Sequence, residues 1–277
     1  MDDQLFSVRR AYSENPELEW NRLTSGAQDR LEYLITSHAL RRHLPTPGAT
    51  IHILDAGGGP GRYTIDLARQ GYNLTLLDLS PALLTVARER IAEAGPLVQQ
   101  HVVEIAEGSI TDLSRYPNDA FDAVLCLGGP LSHLTDPEQR KAALSELSRV
   151  ARPGAPIFVS VMNRFGVFRG MVQWQFFRGD LREFWRTGLS YIEIEGLAAP
   201  TYFFTPDEFV ASVQEYCRLE RLYGCNGIGA HLPEDHLIAL MADGDHWPAW
   251  REVLLETADH PSVVGVSRSL LAVARKP

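Results

Sequence analysis

Lysine is almost absent: Lys141 and Lys276 are the only two among 277 residues. A phosphate-binding G-x-x-x-x-G-K-[ST] loop and lysine Schiff-base chemistry are therefore not expected. Cysteine is scarce too. Cys126, Cys217 and Cys225 make an odd count without a C-x-x-C pair, which fits neither a disulfide framework nor a zinc cluster, and a reduced cytoplasm is the expected setting. No apolar run approaches the roughly 18 residues that span a bilayer, and the opening "MDDQLFSVRRAYSENPE" has no apolar signal core, so neither secretion nor membrane insertion is expected. Positive charge is in deficit, with 26 Lys and Arg against 35 Asp and Glu and a net charge of -9. Such a chain is not built to neutralise a phosphate backbone, and no nucleic-acid partner is expected. Repeats, low-complexity tracts and Gly/Ser linkers are missing as well.

What is present is enough apolar material, 45% of residues, for one large globular domain carrying a lid. The stripe Leu31, Leu34, Ile35 and His38 predicts an N-terminal cap helix over 25–44, stopped by "LPTPG". From there strands at 51–55, 73–78, 101–106, 121–127 and 156–162 alternate with helices at 60–70, 81–94 and 136–150. That alternation predicts a mostly parallel sheet covered on both faces. Helix starts are marked by Ser80-Pro81, Asp136-Pro137 and Thr205-Pro206 with Glu208. After residue 163 the alternation lapses, then resumes with a helix at 205–217, a strand near 219–225, helices near 233–257 and a last strand near 268–275. The division expected is a cap at 1–48, a core at 49–162, a lid at 163–204 and the rest of the sheet at 205–277, all in one domain.

The stretch "IHILDAGGGPGRY", residues 51–63, runs from an apolar strand through an acid into glycines. A dinucleotide fingerprint G-x-G-x-x-G begun at Gly57 would need its last glycine where Arg62 stands. The sequence instead reads Asp55-x-Gly57-x-Gly59-x-Gly61. An acid at the strand end would repel a pyrophosphate but suits a ligand bearing an ammonium and a sulfonium. The second strand, "NLTLLDLS", ends on Asp78, whose carboxylate can accept two ribose hydroxyls.

This turn resembles the first motif of the class I S-adenosylmethionine-dependent methyltransferases, and four later stretches resemble the family in order and spacing. They are "NLTLLDLS", "EGSITDL" at 107–113, "FDAVLCLGGPLSHL" at 121–134 and "LSELSRVARPGAPIFVSV" at 144–161. Within the family the motifs are similar to the ubiquinone/menaquinone-biosynthesis type. The resemblance implies a doubly wound, mostly parallel seven-stranded sheet with an antiparallel last strand. It implies S-adenosyl-L-methionine as cofactor and S-adenosyl-L-homocysteine as product, held by Asp55, Gly57, Gly59, Gly61, Asp78, Leu79, Ser109, Ile110 and Leu127. Ser109 and Ile110 depart from the family pattern, which usually has an acid beside a small residue there. A nicotinamide-dependent oxidoreductase is the less favoured reading, because of Asp55 and the glycine spacing. A non-catalytic S-adenosylmethionine-binding regulator would keep the same motifs.

The loop "CLGGPLSH" lacks the Asp/Asn-Pro-Pro-aromatic and Pro-Cys motifs of nucleic-acid methylating enzymes. Cys126, between leucines, reads as a small buried hydrophobe. No metal is expected, since the loop carries no carboxylate and Asp122 opens the strand. A small, apolar or aromatic acceptor is expected, methylated on O, N, S or C, with self-association as a homodimer compatible with this reading. Its pocket is expected among Phe165, Phe168, Trp174, Phe176, Phe177, Phe184 and Trp185, interleaved with Arg164, Arg169, Arg178, Arg182 and Arg186, where one or two guanidinium groups suit a flat or hydrophobic molecule that bears a carboxylate or similar anion; the same pattern also fits a lid's own core with a solvated arginine face. Tyr12 and Trp20 are candidates to close over the cofactor. His133, in the loop beside the transferable methyl, is the candidate base, with Tyr12 acting beside it. His38 reads as structural, and His231 and His236 lie where an insertion could bring them to the pocket.

Overall fold

Apolar runs bounded by glycine, proline or an acid become strands, and stretches with capped starts become helices. The computed structural model describes residues 3–48, 50–173, 180–194 and 197–277. Helices α1 (Asp3–Glu14), α2 (Pro16–Ser25) and α3 (Ala27–His43) precede β1 (His52–Ala56). Then come α4 (Arg62–Ala68), β2 (Asn73–Asp78), α5 (Pro81–Glu93), the short α6 (Pro96–Gln99), β3 (Val102–Glu107) and β4 (Ala123–Cys126). A 3₁₀ turn at Pro130–His133 leads into α7 (Pro137–Val150), β5 (Pro156–Met162), α8 (Arg164–Gln173) and α9 (Leu181–Thr187). The antiparallel pair β6 (Leu189–Ile194) and β7 (Leu197–Tyr202) is followed by α10 (Pro206–Gln214) and β8 (Arg218–Gly224). The chain ends with α11 (Glu234–Ala242), α12 (Trp247–Thr257), α13 (Pro261–Val264) and β9 (Ser269–Arg275).

Seven strands form one sheet in the order β3-β2-β1-β4-β5-β9-β8. The first five run parallel, and β9 is antiparallel to both β5 and β8, as the resemblance implied. The order reverses at β1, so the carboxyl ends of β1, β2 and β4 open a crevice where an α/β sheet binds its ligand. Consecutive strand residues serve opposite faces. Leu54, Val124 and Ile157 enter one apolar cluster, while Ile53, Leu125 and Phe158 enter the other. That two-sided burial is why the strands read as near-continuous apolar runs.

Three helix starts form as their sequences specify. Ser80 accepts from the Leu83 N–H, Asp136 accepts from the Glu138 N–H, and Thr205 with Glu208 closes a reciprocal capping box. The helix expected at 60–70 is shorter, because Gly61 at φ +81° is its N-cap and stays outside it. In front of the single cap helix expected at 25–44 stand α1 and α2, the second opened by Pro16. Among the described residues no helix is long and apolar enough to cross a membrane.

Candidate active site

The glycine spacing of the first turn is a backbone requirement. Gly57, Gly59 and Gly61 have φ of +78°, +56° and +81°, a region that side chains with a β-carbon disfavour. The turn is pinned to β2: the Gly57 and Gly58 N–H groups both donate to the Leu77 carbonyl, at 2.7 and 3.2 Å. Gly59 N–H donates to Asp78 Oδ2 at 2.9 Å, and Ser80 N–H donates to Asp78 Oδ1 at 2.8 Å. The Leu79 N–H also bonds this carboxylate, whose two oxygens keep lone-pair capacity for a ligand hydroxyl.

Asp55 is fully buried, and its Oδ2 accepts from the Thr64 hydroxyl at 2.7 Å. Its Oδ1 is buried against the crevice without a hydrogen-bond partner. Burial raises the Asp55 carboxyl to about 6, with the Asp78 charge adding to the rise. Burial likewise raises Asp78 to about 6, against the backbone hydrogen bonds that favour its ionised form.

These groups line a cleft of about 990 Å³, counting its open mouth. Asp55, Gly57, Gly59, Asp78, Leu79, Ser109, Ile110, Leu127, Tyr12 and His133 all line it. Gly61 does not: a β-carbon there would face Leu76, Ala87 and Ile91, so this glycine serves helix–strand packing. Gly108, Gly128, Glu19 and Arg22 also line the cleft, and sequence reasoning did not single them out. The Arg22 guanidinium is held by Glu19 at 2.7 Å and Glu32 at 3.5 Å and lies over Gly128. The i,i+3 pair Glu19/Arg22 was the available signal, but such pairs are common on solvated helices.

The roof is α1, tethered beyond the end of β2, at the end of β3 and at the 3₁₀ turn that follows β4. Tyr12 Oη lies 2.7 Å from His133 Nε2, Ser13 Oγ 2.9 Å from Ser80 Oγ, and Arg9 2.9 Å from Glu107. Leu5 and Val8 turn inward from the same helix. Trp20 sits elsewhere, with the Arg62 and Arg90 guanidinium groups 4.1 and 5.2 Å from its ring. His133 is 4% exposed, and burial, followed by the nearby Arg22 charge, lowers it to about 4 against the hydrogen bond to the Pro200 carbonyl.

The aromatic, arginine-rich stretch packs mainly on itself. Phe165 and Phe168 meet Trp185, Phe184 meets Phe203, and the buried Arg164 donates to the Phe203 and Trp185 carbonyls. None of Arg164, Phe165, Phe168, Arg169, Arg182, Phe184, Trp185 or Arg186 lines the cleft. Trp174, Phe176, Phe177 and Arg178 lie outside the described residues. The segment reaches the site through β7, where the Pro200 carbonyl meets His133 Nδ1 at 3.2 Å. His231 bonds the Val266 carbonyl, His236 is exposed, and neither they nor His38 line the cleft. Cys126 is buried, which pushes its thiol up to about 12, so it packs as a hydrophobe. Among the described residues no cluster of three or more His, Cys, Asp or Glu is placed to hold a metal ion.

A mostly parallel sheet with a buried acid at the penultimate residue of β1 and another at the end of β2, a left-handed glycine turn between them and a roofed cleft above, is the arrangement that the class I methyltransferase resemblance implied. Residues 53–154, somewhat over a third of the chain, match the methyltransferase-domain family. Ubiquinone biosynthesis O-methyltransferases of Xylella fastidiosa and Xanthomonas euvesicatoria are each 34% identical over 135 residues. The match covers 49% of this chain, and the chain spans about half the length of these relatives, 48% and 49%. An S-adenosylmethionine-dependent methyltransferase from Methanosarcina mazei superposes with a TM-score of 0.59 at 17% identity, over 86% of this chain and 96% of the other. Geranyl diphosphate C-methyltransferase from Streptomyces coelicolor, solved with S-adenosyl-L-homocysteine, gives 0.53 at 14%, over 87% and 78%. At these identities the two structures speak for the fold.

Proposed function

We propose that the chain transfers the methyl group of S-adenosyl-L-methionine to an O, N, S or C atom of a small, apolar or aromatic molecule. The cleft carries this reading: cofactor-side polar groups at its floor, and Leu5, Val8, Pro130 and Leu134 around Tyr12 and His133 at its roof. The curated relatives' name supports a small-molecule acceptor. Asp55 Oδ1, orphaned beside the glycine turn, fits an ammonium, and Asp78 fits a ribose. Arg22 supplies a guanidinium for a carboxylate, and Gly59, Leu79, Ser109, Ile110 and Leu127 line the remaining cradle. The bound cofactor supplies an activated methyl group. The protein's part is to align the acceptor and keep water out.

Mass spectrometry of a small-molecule panel incubated with methyl-labelled cofactor tests the reading directly. Cofactor binding with no transfer to any panel member would favour a non-catalytic regulator.

Two further results are expected. Because Asp55 and Asp78 titrate near 6 in the free protein and a cationic ligand favours their ionised forms, affinity should fall with acid. From pH 7 to pH 5 the loss is about tenfold if one carboxyl must ionise and about a hundredfold if both must. Calorimetry with S-adenosyl-L-homocysteine reads this, and a flat profile would remove both acids from cofactor binding. Since α1 roofs the cleft and is held by three polar tethers, it must lift to admit ligands. Hydrogen exchange in α1 should slow several-fold when S-adenosyl-L-homocysteine binds; unchanged exchange there would make α1 a fixed wall.

A further inference from the structure

Neither ring nitrogen of His133 is open to the cleft. Nδ1 lies 3.2 Å from the Pro200 carbonyl oxygen, with Thr201 Oγ1 at 3.4 Å, and Nε2 lies 2.7 Å from Tyr12 Oη. A carbonyl only accepts hydrogen bonds, so Nδ1 carries the ring hydrogen and Nε2 presents a lone pair. The Tyr12 hydroxyl must then donate to Nε2. The two rings meet edge to face with centroids 5.3 Å apart. Both residues line the cleft, and the Tyr12 oxygen, its proton committed to Nε2, keeps lone-pair capacity for a further donor.

We propose that Tyr12 is the residue that receives the acceptor's proton and that His133 acts through it, so that the acceptor enters neutral and proton-bearing. The inference rests on the methyl-transfer reading. A neutral hydroxyl or amine N–H can donate to the Tyr12 oxygen. A carboxylate or other anion would meet that lone pair without a donor and is rejected. As the acceptor's lone pair forms its bond to the methyl carbon, the carbon–sulfur electrons leave with sulfur. The acceptor's X–H proton passes to Tyr12 Oη, and the Tyr12 proton passes to His133 Nε2. The site ends with a neutral thioether product and an imidazolium whose Nδ1–H remains on the Pro200 carbonyl, so net charge is unchanged. The imidazolium then returns its proton to water as the cleft opens. The charged groups facing the pair are Glu19 and Arg22 of α2 and Asp78 at the end of β2. Burial lowers the His133 pKa, so its ring is neutral at neutral pH and the imidazolium formed in the relay is short-lived.

The test has two arms. Nitrogen-15 NMR of labelled histidines with S-adenosyl-L-homocysteine bound, the His133 signal assigned by its loss in His133→Asn, should show the Nδ1–H tautomer. In Tyr12→Phe the His133 titration should move, since Nε2 loses the hydroxyl that is its hydrogen-bond partner. An Nε2–H tautomer, or an unmoved titration, overturns the relay whatever the activity. In the second arm labelled cofactor is offered with phenol, aniline and benzoate as probes. Transfer should reach phenol or aniline and not benzoate. Tyr12→Phe and His133→Asn should each lower kcat about 10²–10⁴-fold, and the double variant should lose no more than the worse single one. Wild-type kcat in Tyr12→Phe, or transfer to benzoate, overturns the proposal. Absence of turnover on every probe despite tight product binding counts against the methyl-transfer reading alone, and the NMR arm still decides the relay.

Discussion

Gly59→Leu is expected to abolish cofactor binding, with S-adenosyl-L-homocysteine affinity falling by at least about 10³-fold, because the new side chain fills the ligand's place. Gly59 lines the cleft, and a β-carbon there meets nothing nearer than Leu83 Cδ1 at 3.8 Å and Glu19 Cγ at 3.9 Å, so a longer side chain extends into open space between those two lining residues. Its φ of +56° adds strain of about 1–2 kcal/mol for a residue with a β-carbon. Thermal denaturation should therefore show a small loss of stability while calorimetry shows a complete loss of binding. Gly61→Leu is the informative contrast. Its β-carbon would start 3.4 Å from Leu76 and 3.5 Å from Ala87, so the chain must crowd the helix–strand contact, and the dominant effect should be on stability. If Gly59→Leu bound product as the wild type does, the cleft would not be the cofactor site.

Arg164→Ala should be among the most destabilising single changes at a charged position, costing about 2–4 kcal/mol in urea unfolding, while leaving cofactor affinity intact. The residue is 4% exposed. Its guanidinium donates to the Phe203 and Trp185 carbonyls at 3.0 and 3.2 Å, to the Tyr202 hydroxyl at 3.3 Å and to Glu208 at 2.8 Å. It thereby ties α8 to the end of β7 and to the capping box of α10. Truncation strands buried acceptors, whereas Glu208 still reaches water, and this places the cost below that of breaking a fully buried ion pair. A variant of unchanged stability that failed only to bind an anionic acceptor would return Arg164 to the role its setting among aromatics suggests.

That contrast shows where sequence reasoning reaches and where it stops. Arginine among aromatics reads equally as an anion hook or as the solvated face of a lid, and the buried clamp that Arg164 forms could not be read, because its long side chain chooses partners only when distant carbonyls arrive. The capped helix starts at Ser80, Asp136 and Thr205 were legible because the bonded groups lie within three residues of one another. So was the glycine turn, whose alternate left-handed positions leave a mark that no other residue type matches. α1 carried no such mark: what makes it a roof is a surface to lie on, and the groups that hold it are Ser80, Glu107 and His133.

By itself, then, the sequence determined the alternation that builds a parallel sheet, the acids that close β1 and β2, and the turn between them, since each is set by residues close in the chain. Only the tertiary structure decided the rest. It left Asp55 Oδ1 without a partner in the cleft and laid Arg22 over Gly128. It also joined Tyr12 to His133 across 121 residues of chain and set Pro200 behind the imidazole. The tautomer of His133 depends on that last contact, because a ring with two similar nitrogens takes its chemistry from whatever faces them, and no local pattern records which groups those will be.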